Sequence, residues 1–253
     1  MLRAAMRYAG AIRLDHVLGL KRLYLIPDGL PPDQGAYVRL PFDQMLAATA
    51  DESIQKRCIV IGEDLGTVPE GFRPELARWG IWSYKVMLFE RDAAGAFHPP
   101  ARYDERALAT FSTHDLPSFA GWIGRHDRPV KRGLGIDPGE TARHRTTAIS
   151  QLRRLLGVRT AKEVDFAAVL RCLATSPARM LVVALEDALG VQDQVNIPGT
   201  IDQHPNWRRK LPCELEQLAN DGRLHAIGAI AAAAGRSALS HGAPACVQRL
   251  GSP

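Results

Sequence analysis

The sequence predicts an α/β chain built from repeated strand–helix units, part of a (β/α)8 barrel, and three observations predict it. Three apolar runs end in an acidic group. Ala11-Ile12-Arg13-Leu14 runs into Asp15, Cys58-Ile59-Val60-Ile61-Gly62 into Glu63, and Leu108-Ala109-Thr110-Phe111 into the turn Ser112-Thr113-His114-Asp115. Buried parallel strands are near-continuous apolar runs, and their carboxyl ends are where barrels place chemistry. The spacing agrees: Asp15 and Glu63 lie 48 residues apart, and Glu63 and Asp115 lie 52 apart. A barrel unit takes roughly 31 residues, so the first interval is one unit with a long loop and the second is two compact units. Five strands are predicted in all, where a closed barrel needs eight.

The elements follow in order. Leu2, Ala5, Met6 and Ala9 share one helical face, and Gly10 suits the position just past that helix. The strand ending at Leu14 comes next. Val17–Leu40, with Gly29, Pro31, Pro32 and Gly35, reads as an elaborated loop. Pro41 suits the first turn of a helix running to about Lys56. After the strand Cys58–Gly62, Thr67 with Glu70 three residues on reads as the cap of a helix that ends near Gly80. Ser83–Phe89 is the third strand, and the fourth runs to Thr113. Leu116-Pro117-Ser118 opens a helix, while Thr141–Leu156 and Glu163–Ala174 are amphipathic helices. Met180–Leu185 reads as the fifth strand, although its composition equally suits a helix. A loop over Gln192–Arg209, a short helix over Pro212–Ala219 and an Ala-rich helix over Arg223–Gly235 complete the chain. Residues 1–235 read as one folded region and 236–253 as a disordered tail.

With 253 residues, 46% of them hydrophobic and 23% charged, the chain can bury a sizeable core. The net charge of +5 is scattered, and its densest run, Trp207-Arg208-Arg209-Lys210, is short, so nucleic-acid binding is not expected. Cys58, Cys172, Cys213 and Cys246 form no CxxC pair, which indicates free thiols rather than a zinc site or disulfide framework. No apolar run is long enough to span a bilayer, and no secretory signal is legible at the amino end. A cytoplasmic protein without membrane contact is the expectation.

Carboxylates beside Arg and His are what cleavage of a glycosidic bond requires. One attacks the anomeric carbon, a second passes a proton to the leaving oxygen and later takes one from the acceptor, and a third grips the sugar. An Arg beside the attacking group keeps it ionised. The acid/base group must hold its proton, so Glu63 is expected in a more apolar or more anionic surrounding. Ile12-Arg13-Leu14-Asp15-His16, Gly62-Glu63-Asp64-Leu65-Gly66 and Ser112-Thr113-His114-Asp115 resemble, in that order, the fourth-, fifth- and seventh-strand motifs of the α-amylase superfamily. His16-Val17-Leu18-Gly19-Leu20, Gly35-Ala36-Tyr37-Val38, Gly66-Thr67-Val68-Pro69, Gln194-Val195-Asn196-Ile197-Pro198-Gly199-Thr200 and His204-Pro205-Asn206-Trp207-Arg208-Arg209 narrow the resemblance to the 4-alpha-glucanotransferases.

That resemblance implies a partial barrel holding strands four to eight of the family fold, with C-terminal helices. It implies Asp15 as nucleophile, Glu63 as general acid/base and Asp115 as transition-state stabiliser. Arg13 and His114 would hold the nucleophile and the donor sugar, and Asn196 would contact bound glucan. The implied reaction moves an α-1,4-glucan segment to the 4-hydroxyl of glucose or a maltodextrin, with retention and with no metal or organic cofactor. Two alternatives stand beside it: an α-glucan hydrolase, and an inactive fragment that needs the missing N-terminal half as partner. The blander readings differ in weight. A lone strand-end Asp is more often a turn residue, but Asp15 joined to Arg13 and two further motifs is not alone. Trp207 reads as a packed surface anchor in preference to a sugar platform, and Trp79, Trp82 and Trp122 as core or rim packing. Asp64 and Lys85 have no assigned role.

Overall fold

The computed structural model describes residues 1–236. The expected tail over 236–253 therefore lies, apart from Arg236, outside the described residues, as does Cys246. The chain divides into two compact units. The first comprises Met1–Lys85, Tyr103–Ala109 and Ala178–Met180; the second comprises Val86–Arg102, Thr110–Pro177 and the described residues from Leu181 onward.

The first unit opens on one helical turn, α1 (Leu2–Ala5), tightened into a 3-10 turn over Met6–Tyr8, so the predicted helix is present in shortened form. Strand β1 (Ala11–Leu14) follows. The region expected to be all loop contains an antiparallel hairpin, β2 (Arg22–Leu25) with β3 (Ala36–Arg39). Two short strands escape notice there because the Pro- and Gly-rich turn between them dominates the composition. Tyr24 packs edge-on to Tyr37, ring centres 5.0 Å apart. Gly35 lets the Tyr24 ring lie close to the backbone: a Cβ there would be 2.6 Å from the ring, which would have to shift. Helix α2 (Phe42–Lys56) and strand β4 (Ile59–Gly62) come where expected.

Helix α3 (Phe72–Arg78) starts later than predicted. Gly71, at φ +77°, occupies its cap position, and Thr67 caps nothing. The intervening residues are committed to the strand end instead: Leu65 donates to Glu63, and the buried Asp64 pairs with Arg73 at 2.5 Å. Beneath these elements lies a core of Met6, Val17, Leu46, Cys58, Val60, Phe72, Leu76 and Ile81. Burying each such side chain is worth about 1.5–3 kcal/mol.

Strands β1 and β4 pair in parallel, Leu14 opposite Gly62. A parallel bridge between Ile61 and Trp82 leads on to β5 (Ser83–Val86). Strands β5, β6 (Ala107–Thr110) and β7 (Met180–Leu181) form a three-stranded sheet in that order. The fold is thus mixed α/β, and the described strands form no closed barrel. The fifth predicted strand is only two residues long, because Leu185 already opens a helix. That apolar run serves two elements.

The second unit is mainly helical: α4 (Phe119–Gly124), α5 (Asp127–Gly133), α6 (Ala142–Leu156), α7 (Phe166–Ala174), α8 (Leu185–Leu189), α9 (Leu215–Leu218) and α10 (Gly222–Ala233). The α5 segment escapes prediction because it contains Pro129, tolerated there in the first helical turn. Ser118, Thr141 and Asp165 cap α4, α6 and α7 through side-chain oxygens. Phe111 sits at the centre of an aromatic cluster with Phe119, Trp122 and Phe166. Beside it Arg145, 2% exposed, holds Asp127 through two bonds of 2.9 Å and also pairs with Glu140. Among the described residues Cys58, Cys172 and Cys213 are free thiols. No helix there is long and apolar enough to cross a membrane.

Candidate active site

The first unit carries Arg13, Asp15 and Glu63 together. The chain leaves β1 at Leu14, exposes Asp15, and turns at His16, which adopts the left-handed conformation at φ 45°. That turn aims the His16 amide at Glu63: the N–H donates to Oε2 at 2.9 Å, while the Leu65 N–H donates to Oε1 at 2.8 Å. Main-chain bonds from Glu63 to Leu14 and from Val17 to Glu63 lock the two strand ends to each other. Glu63 is half-buried and rests on backbone dipoles; the surrounding is more polar than the expected apolar or anionic one.

Arg13 Nη1 pairs with Asp15 Oδ1 at 2.7 Å, and its guanidinium lies 5.4 Å from the centre of the Tyr84 ring. Tyr84 is a residue the sequence reading missed. Its side chain is buried, which pushes the phenol above its ordinary range; the nearby Arg13 charge pulls it down and that of Glu63 pushes it up. The signal was present in the apolar–polar alternation of Ser83-Tyr84-Lys85-Val86. Lys85 itself, unassigned from sequence, reaches Asp104 at 3.1 Å.

The second unit brings His114, Asp115 and Asn196 together. Asn196 Nδ2 donates to Asp115 Oδ1 at 2.6 Å, and His114 Nε2 lies 3.3 Å from Asp115 Oδ2. The turn is held from within by the Asp115 N–H on Thr113 Oγ1 and by Ser112 Oγ on the Pro117 carbonyl. From outside it is held by Gln194, also missed. The buried Gln194 amide donates to the carbonyls of both Asp115 and Asn196, and the buried His204 ring donates to the Gln194 carbonyl at 2.9 Å. A side chain that clamps a turn 79 residues away leaves no local pattern to read. No group of three or more metal-ligating side chains occurs among the described residues.

Carboxylates at the carboxyl ends of neighbouring parallel strands, with Arg in contact, are an arrangement found in α/β enzymes that work through acidic side chains. Residues 1–216 match the model of glycoside hydrolase family 77, 4-alpha-glucanotransferase. The chain belongs to the 4-alpha-glucanotransferase family. It is 38% identical over 261 residues to the 4-alpha-glucanotransferase of Mycobacterium tuberculosis H37Rv, covering 95% of this chain and 36% of that one. It is 36% identical over 229 residues to that of Haemophilus influenzae, covering 83% and 33%. Among solved structures, amylomaltase from Corynebacterium glutamicum superposes with a TM-score of 0.80 at 27% identity, over 91% of this chain and 36% of that one. Amylomaltase from Streptococcus agalactiae in complex with acarbose shares the fold with a TM-score of 0.72 at 19% identity, over 93% and 43%. The chain thus spans about a third of the length of the curated relatives it matches.

Proposed function

We propose that this chain is the catalytic portion of a retaining 4-alpha-glucanotransferase, corresponding to strands four to eight of the family barrel, with Asp15 as nucleophile, Glu63 as general acid/base and Asp115 as transition-state stabiliser. The observation that carries the reading is the parallel register that sets Leu14 opposite Gly62. The next residues, Asp15 and Glu63, are then neighbours on strands that pack about 4.7–4.9 Å apart. Retaining enzymes need their two carboxyl groups about 5–5.5 Å apart.

Asp15 attacks the anomeric carbon of a donor α-1,4-glucan while Glu63 gives its proton to the departing 4-oxygen. A covalent glycosyl–Asp15 ester forms and the shortened glucan leaves. Glu63, now ionised, takes the proton of an acceptor 4-hydroxyl, whose oxygen displaces Asp15 with retention. Arg13 keeps the attacking carboxylate ionised. Asp115, oriented by Asn196 and His114, grips the sugar hydroxyls as charge develops. The match of residues 1–216 to the 4-alpha-glucanotransferase family supports maltodextrins as the substrate class.

A partner polypeptide completing the barrel fits the same reading. In the first unit an open, largely apolar groove of about 940 Å³ lies among Met1, Leu2, Leu14, Leu20, Met45 and Ala48. Among the described strands β1 pairs with β4 alone. Strand edges and apolar surface of this kind are covered in finished folds. The test is disproportionation of maltotriose by the purified chain, alone and mixed with the upstream portion of a full-length relative. The mixture should release glucose and longer dextrins, and Asp15→Asn or Glu63→Gln should abolish that release. Unchanged turnover in either variant sinks the assignment, and reducing ends formed without longer dextrins would mark a hydrolase.

A further inference from the structure

Between α5 and α6 the second unit forms an open, polar cavity of about 470 Å³ that shares no residue with the sites of Asp15, Glu63 and Asp115. Arg128 and Arg132 are four residues apart, so both fall on one face of α5, and both line the cavity. Thr141, Ala142 and His144, at the start of the 15-residue α6, line it too. Arg128 gives the cavity its chemistry. The side chain is 4% exposed, and its Nη1 donates to the carbonyl of Glu140, itself part of the lining. That bond brings the end of the guanidinium to the cavity. Its Nη2 is buried and meets no acceptor among the described residues. A buried charged donor without an acceptor is costly, and folded proteins almost always answer one.

The two carboxylates of the lining do not answer it. Glu140 is held by Arg145, which also neutralises Asp127, and Asp137 Oδ1 accepts from the Gly139 N–H at 2.9 Å. Further donors face the same space. The first N–H groups of a helix have no partner within it. Thr141 Oγ1 accepts that of His144 at 3.1 Å, whereas that of Ala142 has no acceptor among the described residues. The side chains of Arg132 and His144 have no partner there either. A guanidinium fork, a second Arg and the positive end of a long helix are together the donor set that recognises a phosphoryl group. The volume falls within the ~300–1,000 Å³ of small-molecule sites, which leaves room for a group attached to the phosphoryl.

We propose that this cavity binds a phosphoryl group, carried by inorganic phosphate or by a small phosphorylated sugar, with Arg128, Arg132 and the amino end of α6 as its donors. The site is independent of the glucan-transferring reading and stands or falls without it. The test is calorimetric titration of the 253-residue chain, at constant ionic strength, with inorganic phosphate, glucose 1-phosphate and glucose. Inorganic phosphate should bind saturably. Glucose 1-phosphate binding more than about threefold tighter assigns the site to a sugar ester, and equal affinity assigns it to the free anion. Arg132 is exposed, so Arg132→Gln spares the fold; it should weaken phosphate binding about twofold to fivefold. Asp137→Asn keeps an acceptor for Gly139 and removes one negative charge, so it should strengthen binding by a similar factor. In the parent chain the Ala142 amide resonance should shift with phosphate and stay still with glucose, a measurement that needs no variant. The proposal is overturned by a lack of saturable phosphate binding, by unchanged affinity in both variants, by an unmoved Ala142 amide, or by an equal shift with glucose alone.

Discussion

Gln194 Nε2 donates to the main-chain carbonyl of Asp115 at 2.8 Å and to that of Asn196 at 2.7 Å. One buried amide therefore sets both the turn that presents the carboxylate and the loop that presents its hydrogen-bond donor. Gln194→Leu should leave two carbonyls unsatisfied and cost about 1–3 kcal/mol for each that water cannot reach. Urea denaturation would measure the loss. A variant as stable as the parent would mean the clamp is idle.

Asp187 gives a pH dependence with a definite sign. Burial pushes its carboxyl from 3.8 up to about 6; the Phe119 N–H opposes the shift and Glu186 adds to it. The folded state thus holds this proton more tightly than the unfolded chain. The associated stability is complete below about pH 4 and is lost as pH rises through about 6, on the order of 3 kcal/mol in all. Asp187→Asn keeps an acceptor for Phe119 and has no charge to bury. Its melting temperature should exceed the parent's at pH 7.5 and match it at pH 4; the opposite order would refute the burial argument.

Arg145 is the largest side chain buried below 2% exposure, and it neutralises Asp127 and Glu140 while also donating to the Trp122 carbonyl at 2.6 Å. Removing one partner of a buried pair strands the other charge, which costs about 3–5 kcal/mol. Arg145→Leu should unfold the second unit at correspondingly lower denaturant. A loss under about 1 kcal/mol, the surface-pair range, would show that water reaches the carboxylates.

Two hydroxyls that look alike in sequence should behave differently. Ser118 caps α4 by accepting from the Gly121 N–H at 3.1 Å, whereas Thr67 caps no helix. Ser118→Ala should cost about 0.5–2 kcal/mol, and Thr67→Ala should fall within about 0.5 kcal/mol of the parent. Comparable losses in chemical denaturation would contradict the cap assignments.

The strand ends were legible because each joins a contiguous apolar run to an acidic residue, and both signals are local. Arg13 beside Asp15 was legible for the same reason, being two residues away on the same strand. Cap identity at Thr67 failed because the residues after Glu63 are drawn into the strand end, Leu65 by the Glu63 carboxylate and Asp64 by Arg73, so the helix starts only at Gly71. Tyr84 and Gln194 were missed because their roles depend on partners 71 and 79 residues distant. The hairpin over Arg22–Arg39 was hidden by its own turn.

The bonds that fix the Glu63 carboxylate come from the main chain at His16 and Leu65 and use no side chain of either residue. The orientation of this group is consequently insulated from most substitutions at Leu65, whereas at His16, held at φ 45°, proline or a β-branched residue would disturb the turn that aims the donor. Shortening Glu63 to Asp would withdraw the oxygens from amides that cannot follow. Tolerance at Leu65 and intolerance at the acceptor arise from one device.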